Sequence, residues 1–204
     1  MHMIFDGPPD APKFLIAHGA GGAMDTPWMN RVATGLATRG IRVVRFEFPY
    51  MAARRHGGKR GAPDRAPVLL SSWKAAIAET GDPRTLAIGG KSLGGRMASM
   101  IADEMQVHRL ICFGYPFHPP GDTTRLRTEH LADLSTPTLI IQGTRDPFGN
   151  QGEVAQYKLS ASIEVAWLED GDHSFKPRVS SGTTEKANLE RAIDLAAASI
   201  FGED

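Results

Sequence analysis

The chain lacks the features that mark several large classes of protein. It has one cysteine, Cys112, inside the apolar run Leu110-Ile111-Cys112-Phe113. A lone thiol cannot close an internal disulfide, and no Cys/His spacing suits zinc, so disulfide scaffolds and zinc modules are excluded. Cys112 reads as an inert core thiol, and neither a metal nor a cofactor is expected. Neither sign of charge is in excess: Lys plus Arg number 23, as do Asp plus Glu. That balance gives no long-range attraction to nucleic acid or to an anionic membrane surface. No apolar run approaches the roughly 18 residues that a membrane helix requires. Met1-His2-Met3-Ile4-Phe5-Asp6 shows no basic segment followed by an apolar one. No secretory leader is therefore expected, and a cytoplasmic location is the default. With no internal repeat and no long linker, residues 1–204 are expected to form one domain.

What is present is an ordinary apolar core: 41% hydrophobic residues against 23% charged. Lys13 to Ala17, Ile41 to Phe46, Thr85 to Ile88, Arg109 to Phe113, Pro137 to Ile141 and Ile163 to Leu168 read as strands. Residues 1–12 hold a brief edge strand. Helical patterns cover Pro27 to Thr38, Val68 to Thr80, a stretch opening at Arg96, residues 151–159, and Thr184 to Phe201. Residues 47–66, dense in proline, glycine and arginine, read as a long loop. The strands are continuous apolar runs alternating with helices. This predicts an α/β fold with a mostly parallel sheet of about six to seven strands, covered on both faces and without a large cap. Ligands of such sheets bind beyond the carboxyl ends of the strands.

One stretch organises the rest. Gly90-Lys91-Ser92-Leu93-Gly94 has the form G-x-S-x-G and lies between a strand and a helix. A serine at such a turn is thrust out of the sheet, and its small neighbours let strand and helix converge. Asp146 follows the Leu139-Ile140-Ile141 strand, and His173 follows the final strand. Serine, acid, histidine, each after its own strand, is the order of a nucleophilic triad built on this architecture. Ser92 needs a base at neutral pH; His173 would accept its proton, and Asp146 would orient the imidazole. Asp170 and Asp172 are too close to His173 on one turn and read as shaping that turn. An oxyanion needs two N–H donors. The backbone of Leu93 offers one, and Ala20, in the loop His18-Gly19-Ala20-Gly21-Gly22, offers the other, with Gly21 as its alternative. His18 reads as bracing that loop. Gly90-Lys91-Ser92 also resembles the end of a phosphate-binding loop, but position 85 is threonine where that motif needs glycine.

These motifs, with Tyr115-Pro116-Phe117-His118-Pro119-Pro120-Gly121 and Gly171-Asp172-His173-Ser174-Phe175, carry a resemblance along nearly the whole chain. The chain resembles the small, capless, dienelactone-hydrolase-like α/β-hydrolases. It is similar in particular to a branch that includes a eukaryotic testis-expressed protein and a histone-acetyltransferase complex subunit. The resemblance implies hydrolysis of a small-molecule carboxylic ester or thioester through an acyl-enzyme, without metal. It also leaves a rival, a non-catalytic binding or scaffold protein that keeps the fold. Dienelactone hydrolase carries cysteine where this chain has Ser92, which points to an ordinary serine esterase. Placement after strands nominates Tyr50, Met51, Tyr115, Phe117 and His118 as walls of the acyl pocket. Arg54 and Arg55, with Lys59, Arg60 and Arg65, read either as part of a solvated surface loop or as an anion-recognising rim. Lys91 and Arg96 flank the elbow with no assigned role.

Overall fold

The inner strands need no polar face, because the sheet they form is covered on both sides. The computed structural model describes residues 1–55, 57–58 and 61–202. Seven strands form its sheet: β1 (Met3–Asp6), β2 (Lys13–Ala17), β3 (Arg42–Phe46), β4 (Leu86–Lys91), β5 (Arg109–Phe113), β6 (Thr138–Gly143) and β7 (Ile163–Leu168). Their spatial order is β1-β3-β2-β4-β5-β6-β7. Only β1 runs antiparallel to its neighbour. All six residues of the inner strand β6 are buried, whereas the edge strand β1 is only partly covered.

The helices are α1 (Pro27–Thr38), α2 (Pro49–Arg55), α3 (Ala66–Thr80), α4 (Leu93–Ser99), α5 (Ala102–Met105), α6 (Gln151–Val154) and α7 (Glu185–Phe201). On one face, Val32 and Leu36 of α1 pack with Leu189, Ile193 and Ile200 of α7. On the other, Trp73 and Ile77 of α3 pack with Met97 and Ala98 of α4. Burial of each large aliphatic or aromatic chain contributes roughly 1.5–3 kcal/mol. Thr26 caps α1 by accepting from the Met29 N–H at 3.4 Å, and Pro27 begins the helix, where its missing N–H costs nothing. Gly35 eases the close approach of α1 and α7, since a Cβ there would lie 2.7 Å from Ile193 Cδ1 and the isoleucine side chain would have to shift.

Several expected boundaries shift. Residues 47–66 are not all loop, because Pro49 to Arg55 form α2. Helix in 151–159 stops at Val154. The elbow strand continues to Lys91, and α4 opens at Leu93 rather than Arg96. Among the described residues, no helix is long and apolar enough to cross a membrane.

Candidate active site

β4 ends at Lys91 and α4 starts at Leu93, which leaves Ser92 alone at the turn. Ser92 has φ 50° and ψ −112°, a conformation that strains any residue with a side chain. The strain persists because the surrounding packing allows no other path. A Cβ on Gly90 would strike the Ala17 carbonyl oxygen, and one on Gly94 would lie 2.5 Å from the same atom. The turn carries the Ser92 hydroxyl past the strand ends, where the loops after β2, β6 and β7 converge.

His173, in the loop after β7, places Nε2 2.9 Å from Ser92 Oγ. Its Nδ1 lies 2.7 Å from Asp146 Oδ2. With a carboxylate facing Nδ1, the proton of the neutral ring resides there, and Nε2 accepts from the serine hydroxyl. Asp146 is fully buried. Gln142 Nε2 donates to its Oδ2 at 3.0 Å, and the Phe148 N–H donates to its Oδ1 at 2.8 Å. Burial lowers the His173 pKa from the ordinary histidine value; the Asp146 hydrogen bond opposes this, and the Lys91 charge adds to it. The neighbouring acids have other duties. Asp170 bonds Arg178 and Arg145, and the bond to Arg178 pulls its carboxyl down to about 2. Asp172 accepts the N–H groups of Ser174 and Lys176.

A cavity of about 330 Å³ opens beside this triplet. Ala20, Gly21, Trp28, Met29, Phe148 and Ser174 contribute to its wall. Gly19 runs close enough over the elbow that a Cβ there would be 3.7 Å from Ser92 Cβ. Leu93 holds the first position of α4, where an α-helix leaves its N–H without an intrahelical partner. Among the described residues, neither the Leu93 nor the Ala20 N–H has an acceptor. His18 is buried beneath the loop, its Nδ1 2.7 Å from the Gly19 carbonyl oxygen and its Nε2 accepting the Phe48 N–H at 3.2 Å.

A family model described as an alpha/beta hydrolase domain matches residues 10–201. The chain belongs to the alpha/beta hydrolase family. Among curated proteins, it is 29% identical over 142 residues to ABHD14B of Rattus norvegicus, a proposed protein-lysine deacylase. The match spans 67% of this chain and 62% of the rat protein's length. Among solved structures, a dienelactone hydrolase from Anabaena variabilis is 22% identical with a TM-score of 0.72, over 98% of this chain and 90% of that one. An alpha-beta serine hydrolase homologue from Coxiella burnetii is 19% identical with a TM-score of 0.71, over 97% and 90%. At such identities these structures establish the shared fold.

In this chain, the loop after β5 does not line the cavity as expected. Tyr115, Phe117 and His118 are buried. Tyr115 and Phe117 join the core against α4, with ring centroids 4.8 Å apart, and the Tyr115 hydroxyl donates to the Arg127 carbonyl at 3.0 Å. His118 lies against Pro119 O at 2.8 Å and Glu153 Oε2 at 3.3 Å. Large rings with a core beneath them gain more from burial than from lining a wet cleft. Tyr50 stands behind the Gly19–Gly22 loop and reaches the Ala20 carbonyl with its hydroxyl at 3.0 Å, and Met51 is buried on α2 away from the cavity wall. Arg55 is committed to Glu47 and Asp25. Arg54 packs its guanidinium over Tyr50 at 5.2 Å and donates to the Gly61 carbonyl. Arg65 lies at the start of α3, and Lys59 and Arg60 lie outside the described residues.

Sequence reading misses Trp28, Met29 and Phe148 as cavity walls and Gln142 as the support of Asp146. Phe148 is the one with a signal, two residues after Asp146. Among the described residues, no group of three or more His, Cys, Asp or Glu could hold a metal ion. Cys112 is buried, which raises its thiol pKa well above the ordinary value and leaves it unreactive.

Proposed function

We propose that the chain is a serine hydrolase that cleaves a small carboxylic ester or thioester through an acyl-enzyme. The observation that carries this reading is the continuous contact from Ser92 Oγ through His173 to Asp146, at 2.9 and 2.7 Å. In this reading His173 Nε2 takes the Ser92 proton as Oγ attacks the acyl carbon. The carbonyl oxygen becomes an oxyanion between the N–H groups of Leu93 and Ala20. One such donor typically lowers the barrier by about 2.7–4 kcal/mol. Collapse expels the alcohol or thiol, which leaves with the proton from His173. Water then repeats the sequence on the acyl-serine and releases the acid. Asp146 keeps the imidazole in the tautomer that both halves need.

A cavity of about 330 Å³ with Trp28, Met29 and Phe148 in its wall favours a short, largely apolar acyl group. An acylated lysine, the substrate class in the rat relative's name, presents the same acyl carbonyl and belongs in the substrate panel. Of the two rim arginines, Arg54 has no carboxylate partner among the described residues, so recognition of an anionic substrate falls to it. The finer kinship with the testis-expressed and acetyltransferase-complex branch is proposed on the shared motifs alone.

The test is a fluorophosphonate probe together with graded p-nitrophenyl esters, acyl thioesters and an acyl-lysine peptide. The reading expects labelling of wild type, none of Ser92→Ala, and turnover of at least one short acyl substrate. Absence of labelling and of turnover would leave the scaffold reading in its place.

A further inference from the structure

Lys91 immediately precedes the apical serine, and its side chain runs back across the site to the histidine loop. Its ammonium donates to the backbone carbonyl of His173. It lies 5.5 Å from the Trp28 ring centroid and 5.4 Å from that of Phe175, a geometry in which both ring faces attract a cation. The stem passes under the glycine-rich loop, where a Cβ on Gly19 would sit 3.5 Å from Lys91 Cγ. A single point next to Gly114 measures how tightly the groups converge. A Cβ built there would be 2.7 Å from Lys91 Nζ, 3.0 Å from His173 O and 3.2 Å from His173 Nδ1. Gly114, with φ 66°, leaves that space empty.

No carboxylate contacts this ammonium among the described residues. The charged groups facing it and the imidazole are Asp146, after β6, and Asp172, on the histidine loop itself. The loop it holds contains two non-glycine residues at positive φ, Asp170 at 52° and Phe175 at 72°. A strained segment needs ties, and here one tie carries a full charge into the neighbourhood of the base.

Resting on the hydrolase reading, we propose that Lys91 is a positioning residue for His173: it pins the histidine loop by its backbone and opposes addition of a second proton to the imidazole. The two effects serve one end. The pinned backbone holds Nε2 at the serine, and the cation disfavours a second positive charge on the ring a few ångströms away. Burial lowers the pKa of Lys91 itself to about 8, so it remains largely charged at neutral pH and below, where protonation of His173 is at issue. The main cause of the lowered His173 pKa is burial, with Lys91 adding to it, so a neutral replacement should raise that pKa without restoring the free-solution value.

The experiment follows the His173 ring signals by NMR against pH in wild type, Lys91→Met and Lys91→Gln, assigned with His173→Gln. Two neutral variants are made so that misfolding of one leaves the other. The pH profile of kcat/KM on p-nitrophenyl acetate is recorded in parallel. The His173 midpoint is expected to rise by roughly 0.5–1 pH unit in a folded neutral variant, with the acid limb of kcat/KM moving equally. Lys91→Arg, which keeps the cation, should titrate within a few tenths of a unit of wild type. An unmoved midpoint in a folded neutral variant overturns the proposal, even if activity falls. The NMR titration needs no turnover. If wild type hydrolyses nothing, the hydrolase reading fails while the effect of Lys91 on His173 is still judged.

Discussion

The phenolic hydroxyl of Tyr50 donates to the carbonyl oxygen of Ala20 at 3.0 Å, so the loop that edges the cavity is held from behind. Burial raises the Tyr50 pKa to about 12, which keeps that donor protonated across the working range of pH. Tyr50→Phe preserves the ring beside Phe48 and beneath Arg54 and removes only the tie. If the Ala20 N–H stabilises an oxyanion, kcat should fall by roughly threefold to tenfold with little change in KM, since positioning errors tell in the transition state. Steady-state kinetics on one short ester checks this; an unchanged kcat would detach Tyr50 from the reaction.

Ser92→Ala, His173→Ala and Asp146→Asn are expected to act as one unit. Each should lower kcat by about 10⁴-fold or more, and combining them should add little. Circular dichroism should show the fold retained. A normal Asp146→Asn alongside an inactive Asp172→Asn would transfer the acid role to the nearer turn.

The lowered pKa of His173 gives the pH dependence a sign. The base works unprotonated, so activity persists below the ordinary histidine value of 6.5 and falls only as pH drops through the lower folded-state pKa. Stability follows the same direction. His18 and His130 are also lowered, mainly by burial, so all three bind protons more readily when unfolded. Their contribution to stability is fully present above 6.5 and is lost as pH falls through the folded pKa values. Urea midpoints at pH 7.5 and 5.0 should differ accordingly, with the lower midpoint at pH 5.0.

Gly94→Ala should be poorly tolerated, because its Cβ would lie 2.5 Å from the Ala17 carbonyl and 2.8 Å from the His18 carbonyl. Both contacts are backbone, which moves only by shifting β2 against α4. A loss of about 1–3 kcal/mol is expected from denaturant unfolding. Gly21→Ala, whose Cβ meets nothing within 4 Å, serves as the control.

Arg54→Ala and Arg55→Ala should separate binding from stability. Loss of Arg54 is expected to weaken turnover of a carboxylate-bearing ester relative to a matched neutral one, with the difference shrinking in salt. Loss of Arg55 leaves the buried Glu47 carboxylate without its cation and should lower stability by about 2 kcal/mol, with similar losses on both esters. Equal catalytic losses from Arg54→Ala on both esters would remove anion recognition from the rim.

The elbow and the convergence of Ser92, Asp146 and His173 are legible in the chain because each depends on local rules. Apolar runs mark inner strands, glycines mark where backbone meets backbone, and a residue just after a parallel strand lies on one edge of the sheet. Those rules operate over a few residues and survive without knowledge of what packs against them.

What only the tertiary structure decides is where side chains turn once they leave the backbone. Tyr115, Phe117 and His118 follow a strand as Asp146 and His173 do, yet the core against α4 takes them. Arg55 resembles Arg54 in sequence, but Glu47 and Asp25 claim it from distant positions. Lys91 gives no sign of its partner, because the His173 carbonyl it reaches is 82 residues away. Gln142 becomes the support of Asp146 only because the turn after β6 folds the carboxylate back onto it at 3.0 Å. Backbone path follows from local sterics and periodicity, whereas the partners of a polar side chain follow from whichever complementary group the finished fold brings within about 3 Å.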